Sequence, residues 1–149
     1  MTIRSFKPSK AKQHNRGLMS ELALSADPVS ASTQIEAGFD PDFVSVVVTK
    51  SKMASQLVGK AIGVDRATIA RHAKGQRWEG KTAVRAYMGA RLLDSALSLF
   101  DNDKDKAAAW LEKPAMALGG ISPANYAKKP LGQEAVIDLI GKIKNGVIV

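Results

Sequence analysis

The chain has 149 residues, 45% of them hydrophobic, with 22 Lys and Arg against 14 Asp and Glu and a formal net charge of +8. That length suits one compact domain with appendages or two small ones, and no apolar run approaches the roughly 20 residues of a membrane span. The absence of cysteine excludes a disulfide framework, a thiolate metal site and a cysteine nucleophile, and fits a reducing, cytoplasmic setting. No apolar stretch follows the basic N-terminus, so no signal peptide is read.

The placement of charge says more than its sum. Residues 1–20 carry five Lys or Arg and no acid, and residues 21–49 carry five acids and no base. Residues 50–91 hold ten Lys or Arg against Asp65 and Glu79, whereas residues 92–149 hold seven of each sign. The basic block in the middle points to a polyanion partner for that segment alone. The neutral last third then calls for a different partner.

In chain order, residues 1–35 read as a flexible basic and polar arm, because they lack periodicity and "SADPVSASTQ" is rich in small polar residues. Such an arm can touch DNA phosphate or a minor groove, and "GLMSELAL" has the makings of a short helix. Asp40-Pro41 reads as a helix start, with Asp as cap and Pro at the first position. The β-branched run Val46-Val47-Val48 is expected to stay helical, since helices follow and no partner strand is visible. A long helix is expected from about Lys81 to Phe100, with Val84, Met88, Leu92, Ala96 and Leu99 on one face. "DKAAAWLEK" is a further helix, Ser122-Pro123 starts a short one, and "GQEAVIDLIGKIKNG" is the last, ended by Gly146. The fold class is therefore all-α.

"VGKAIGVDRATIARHAKG", Val58 to Gly75, reads as a helix-turn-helix. Gly59 supplies a small residue where two helices cross, and Gly63 supplies the tight turn. Val58, Ile62, Val64 and Ile69 lock the pair, and Asp65 caps the second helix. Arg66, Ala67, Thr68, Arg71 and also His72 are then expected on the outward face of a recognition helix. There Arg can pair with guanine, Thr can bond base or phosphate, and Ala67 can meet a thymine methyl. Lys60, Lys74, Arg77 and Lys81 are expected as phosphate clamps. One small module reads few bases, so a homodimer on two half-sites is expected.

No catalytic constellation emerges. Asp101, Asp103, Asp105 and Glu112 match calcium-loop positions, but Lys106 stands where that loop needs glycine, so the stretch reads as a helix N-terminus. His14 and His72 have no metal-ligand spacing, no serine sits in a nucleophile elbow, and no metal or cofactor is called for.

The last third carries W-L-x-x-P as Trp110, Leu111 and Pro114, then L-G-G-x-x-P as Leu118, Gly119, Gly120 and Pro123. Leu139, Gly141, Ile143, Gly146 and Val147 complete an L-x-G-x-I-x-x-G-V ending. In order and spacing these motifs resemble the C-terminal domain of Xre/MbcA/ParS-type antitoxins, and with the helix-turn-helix the resemblance covers about residues 36–149. It implies a helix-turn-helix domain over 36–100 and a toxin-binding domain over 101–149. It further implies a RES-domain toxin partner that depletes NAD⁺, an antitoxin that occludes that toxin's active site, and autorepression at operator DNA. Leu118, Gly119, Gly120, Lys142, Lys144, Val147 and Val149 are then expected to face the toxin, with Trp110 and Leu139 in the core. The long helix and the C-terminal helices are candidates for the dimer interface. The chain departs from the family pattern at Ile121, where a basic residue is common, and at Lys142-Ile143-Lys144, where Arg-Ile-Glu is common. A stand-alone dimeric repressor, or a DNA-partitioning or nucleoid protein of low specificity, are the competing readings.

Overall fold

The structure, a computed structural model, describes residues 17–147. His14, with the arm through residue 16, and the tail residues Ile148 and Val149 lie outside the described residues. Nine α-helices and one 3-10 turn make up the described part, in the order α1 (Leu18–Glu21), α2 (Pro28–Ala37), α3 (Phe43–Ser51), α4 (Ser55–Ile62), α5 (Arg66–Ala73), α6 (Gly80–Leu99), α7 (Lys104–Glu112), the 3-10 turn Met116–Leu118, α8 (Pro123–Tyr126) and α9 (Gly132–Lys144). The fold is all-α. Two isolated antiparallel bridges, Phe39 to Trp78 and Ala115 to Ile121, pin loops among the described residues.

Residues 17–35 are not an arm. Leu18 and Met19 of α1 are buried, and the Met19 N–H donates to Asp94 Oδ1 of α6 at 3.1 Å. The Asp27 carboxylate accepts from the Ser30 N–H at 2.9 Å and Pro28 takes the first helical position, so α2 has a complete start signal. The Tyr87 hydroxyl of α6 donates to the Ser25 carbonyl at 2.7 Å. The polar composition hid two anchors, the Leu18–Met19 pair and the Asp27 cap.

α3 begins at Phe43 rather than at Asp40-Pro41. Asp40 sits in the preceding turn because Arg77 engages its carboxylate at 2.6 Å. Val46, Val47 and Val48 are helical as expected, with Val47 buried. Asp103 caps α7 by accepting from the Asp105 and Lys106 N–H groups, each at 3.1 Å, so the acidic stretch is a helix start. Ser122 caps α8 by accepting from the Asn125 N–H at 3.3 Å.

The long helix α6 is the hub, packed by α1, α2, α4, α7 and α9. Its buried face is lined by small residues, Ala83, Ala86, Gly89, Ala90 and Ala96, together with Leu92, Leu93 and Leu97. Small residues let neighbouring helices approach, so Val84, expected on the core stripe, is 46% exposed instead. The α6 alanines Ala83, Ala86, Ala90 and Ala96 and leucines Leu92, Leu93 and Leu97 are used inside the chain. From the other side α9 contributes Val136, Leu139 and Ile140, all buried, each adding roughly 1.5–3 kcal/mol by removal from water.

α4 and α6 cross closely at Gly89. A Cβ there would stand 2.8 Å from the Ile62 Cα of α4, a backbone atom that cannot give way alone. At Gly59, where the sequence pattern predicts the crossing, the nearest neighbour of such a Cβ is Ile69 Cδ1 at 4.0 Å, ordinary contact. Gly89→Ala is therefore expected to destabilise the fold by about 1–3 kcal/mol through overpacking. Gly59→Ala should be neutral or stabilising by up to about 1 kcal/mol, since alanine is the better helix former. Urea unfolding of the two variants beside the parent checks the contrast.

Candidate nucleic-acid and toxin-binding faces

α4 and α5 form the helix-turn-helix. Gly63 holds the turn at φ +77°, a left-handed conformation that suits glycine. Val58 and Ile62 are buried, and Val64 and Ile69 pack partly buried against them. The Asp65 carboxylate accepts from the Thr68 N–H at 2.8 Å. Hydrogen bonding from Thr68, with a smaller contribution from the nearby Arg71 charge, holds its pKa below the usual carboxylate value. The charged cap is thus favoured above the unfolded carboxyl's pKa and is lost only as pH falls through the lower folded value.

Arg66, Ala67, Arg71 and Lys74 are exposed along α5 and its end, and Thr68 is half-buried beside them. Arg71 Nη2 donates to Thr68 Oγ1 at 3.0 Å, which orients both side chains. His72, expected on this face, is instead buried. Its ring stacks on Trp78 with centroids 3.8 Å apart, and its Nδ1 lies 2.8 Å from the Gln76 carbonyl oxygen. Trp78 in turn meets Phe43 at 6.2 Å, so an aromatic cluster fastens the back of α5 to α3.

Two expected phosphate clamps have intrachain partners. Arg77 bridges Asp40 and donates to the Ala37 carbonyl at 3.0 Å, tying the α2–α3 turn down. The Lys60 ammonium pairs with Glu112 of α7 at 3.2 Å. Lys81, like Lys74, is exposed.

The C-terminal third docks on this module through a residue that no motif marked. Gln133, in the first turn of α9, is buried. Its Nε2 donates to the carbonyls of Ala61 (2.8 Å), Ile62 (3.1 Å) and Arg85 (3.0 Å). The carbonyls of Ala61 and Ile62 end α4, where no further helical turn follows to bond them. Arg85 Nη1 completes the lock, donating to Gln133 Oε1 at 3.3 Å and to the Ala127 carbonyl at 2.9 Å. A glutamine at the start of an amphipathic helix carries no sequence signal of burial, so only the packing reveals it.

At the far end, the expected toxin-facing residues separate. Leu118 is a core residue, 7% exposed, because the 3-10 turn directs it inward. The same turn lifts Met116 to 92% exposure. Gly119 and Gly120 follow with φ +68° and +82° and open space around them, so here glycine serves the left-handed backbone of an exposed turn rather than a close contact within the chain. Lys142 pairs with Asp138 at 3.2 Å, and Lys144 Nζ donates to Ser98 Oγ at 2.7 Å. Val147 is 51% exposed, its N–H bonded to the Lys142 carbonyl at 2.9 Å beyond the Gly146 turn. Val149 lies outside the described residues. Leu139 is core as expected, whereas Trp110 is only partly buried at its edge.

Residues 95–146, from the last turns of α6 through α9, match the model of the antitoxin Xre/MbcA/ParS C-terminal toxin-binding domain. The last third of the chain is thus similar to the toxin-binding domain of Xre/MbcA/ParS antitoxins. The chain's relatives include proteins named antitoxin Xre from Yersinia enterocolitica, 29% identical with 97% of this chain and 99% of that protein covered, and from Photorhabdus laumondii, 25% identical with 98% and 99% covered. The similarity spans both the helix-turn-helix and the toxin-binding segment. An antitoxin of this family acts by binding a toxin protein rather than by catalysis. Among the described residues no His, Asp and Glu cluster suits a metal ion, and no helix is long and apolar enough to cross a membrane.

Replacing Gln133 with leucine keeps bulk but strips the donor from buried carbonyls. A destabilisation of about 1–3 kcal/mol is expected, whereas Lys142→Ala on the exposed face of the same helix should stay within about 0.5 kcal/mol. Guanidinium unfolding of both variants distinguishes them.

Proposed function

We propose that this antitoxin neutralises a RES-domain toxin, preserving cellular NAD⁺ by occluding that toxin's active site, and represses its own operon as a homodimer on operator DNA. The observation that carries the reading is that a helix-turn-helix with an exposed basic second helix precedes a toxin-binding segment in one chain. Arg66, Thr68 and Arg71 are assigned to base contacts and Lys74 to phosphate. The exposed turn Met116–Gly120 and the α9 end with Lys142, Lys144 and Val147 are assigned to the toxin. An eight-residue recognition helix reaches few base pairs, which favours two copies on paired half-sites. The RES partner follows from the motif resemblance, in which such C-terminal segments pair with RES toxins.

Co-expression with the protein encoded by the adjacent gene tests the reading. The neighbour alone should stop growth and drain NAD⁺, and this chain should rescue both. A harmless neighbour would favour a stand-alone dimeric repressor. Arg71→Ala is expected to weaken operator binding by about 1–3 kcal/mol while leaving neutralisation intact. Deleting Gly146–Val149 should impair neutralisation before it affects DNA binding. Gel-shift titration and growth rescue of the two variants separate the faces, and parallel loss of both activities in either variant would contradict the assignment.

A further inference from the structure

Between α4 and α5 lies a groove of about 890 Å³ whose rim includes Ser55, Gln56, Asp65 and Arg66 of the helix-turn-helix and, from the toxin-binding segment, Lys128. We propose that Lys128 is a phosphate-contacting residue of the nucleic-acid face, supplied by the toxin-binding segment and held against the recognition helix by the Gln133–Arg85 lock. The inference rests on the DNA-binding reading above.

Position, fixation and charge support it independently. The turn containing Lys128 abuts the helix-turn-helix directly, since a Cβ at Gly63 would stand 2.9 Å from the Ala127 carbonyl oxygen. That carbonyl accepts from Arg85, and Gln133 ties the start of α9 to the end of α4. Lys128 therefore keeps a fixed relation to the start of α5. In a helix-turn-helix complex the recognition helix enters the major groove by its N-terminal residues, so a cation beside that end meets the flanking phosphates.

The charges on the rim favour Lys128 over its neighbours. Lys60 is paired with Glu112. Lys129 lies over its own Tyr126 ring at 5.6 Å. Lys128 is exposed and has no ion pair among the described residues. The acid nearest on the groove, Asp65, is engaged by the Thr68 N–H as a helix cap. From Lys113 to Gln133 the chain carries three lysines and no acid, a local positive stretch that the balanced charge of residues 92–149 conceals. An unpaired ammonium on the rim suits a polyanion whose charges recur about every 1.7 Å along the duplex axis.

The test uses the full chain, a duplex from upstream of its own gene and a scrambled duplex of equal length, with affinities measured from low to physiological salt. Removing one phosphate contact should make the slope of log affinity against log salt shallower by about 0.9. Lys128→Ala should show that change and weaken binding by the same several-fold factor on both duplexes. Lys128→Arg should keep the parent slope, and Lys104→Ala, on α7 away from the groove, should leave slope and affinity unchanged. If Lys128→Ala matches the parent in slope and affinity while Arg71→Ala weakens binding, the Lys128 assignment is overturned and the DNA-binding reading stands. If the parent chain binds neither duplex, the DNA-binding reading itself fails and the Lys128 assignment falls with it.

Discussion

The side-chain amide of Gln133 joins three elements at one point. It caps the carbonyl end of α4, bonds the middle of α6, and starts α9. Buried carbonyls at a helix end are costly when unpaired, so the first helix of the helix-turn-helix is complete only when the last helix of the chain is docked. The turn at Gly63, from which the chain passes to α5, directly follows this contact. A helix-turn-helix and a C-terminal segment that motif order presents as successive parts are thereby assembled around one shared helix, α6.

That arrangement shapes the electrostatics. The basic block of residues 50–91 includes α5, but part of its charge is used internally. Arg77 closes the α2–α3 turn and Lys60 faces Glu112 across the junction with α7. The charge left facing solvent includes Arg66, Arg71 and Lys74 on α5 and its end, together with Lys50, Lys52, Lys81 and Arg91. The antitoxin's other exposed features, Met116 on its glycine-closed turn and the end of α9, lie in the family's toxin-binding segment.

Much of the fold was legible because its signals are local. The Gly63 turn, the Asp65 cap, the Ser122-Pro123 start and the apolar face of α9 each follow from short-range rules, and the structure reproduces them. Misreadings arose where long-range contacts decide. Residues 17–35 look like an arm until Leu18, Met19 and Ser25 meet α6. His72 sits among basic residues, yet its ring completes a stack with Trp78 that becomes visible only when the chain returns through the Phe39–Trp78 bridge. Leu118, expected to face the toxin, is core, while Met116 is exposed, because a 3-10 turn sets which one points inward. Gly59 and Gly89 are equally small, and only the packing of α4 on α6 tells which one the crossing needs.

Equilibrium unfolding followed separately at each end of the chain tests most directly whether the two parts are one body. Trp78 lies in the aromatic cluster behind α5 and Trp110 on α7, so Trp110→Phe and Trp78→Phe proteins each report one part by fluorescence. Trp78 Nε1 is a buried donor without a partner among the described residues, so phenylalanine there leaves none of their acceptors stranded. The account predicts that in both proteins the fluorescence transition coincides with the loss of helical circular dichroism, as a single cooperative unit requires. Two separated transitions, with the α7–α9 part melting while the helix-turn-helix persists or the reverse, would contradict it.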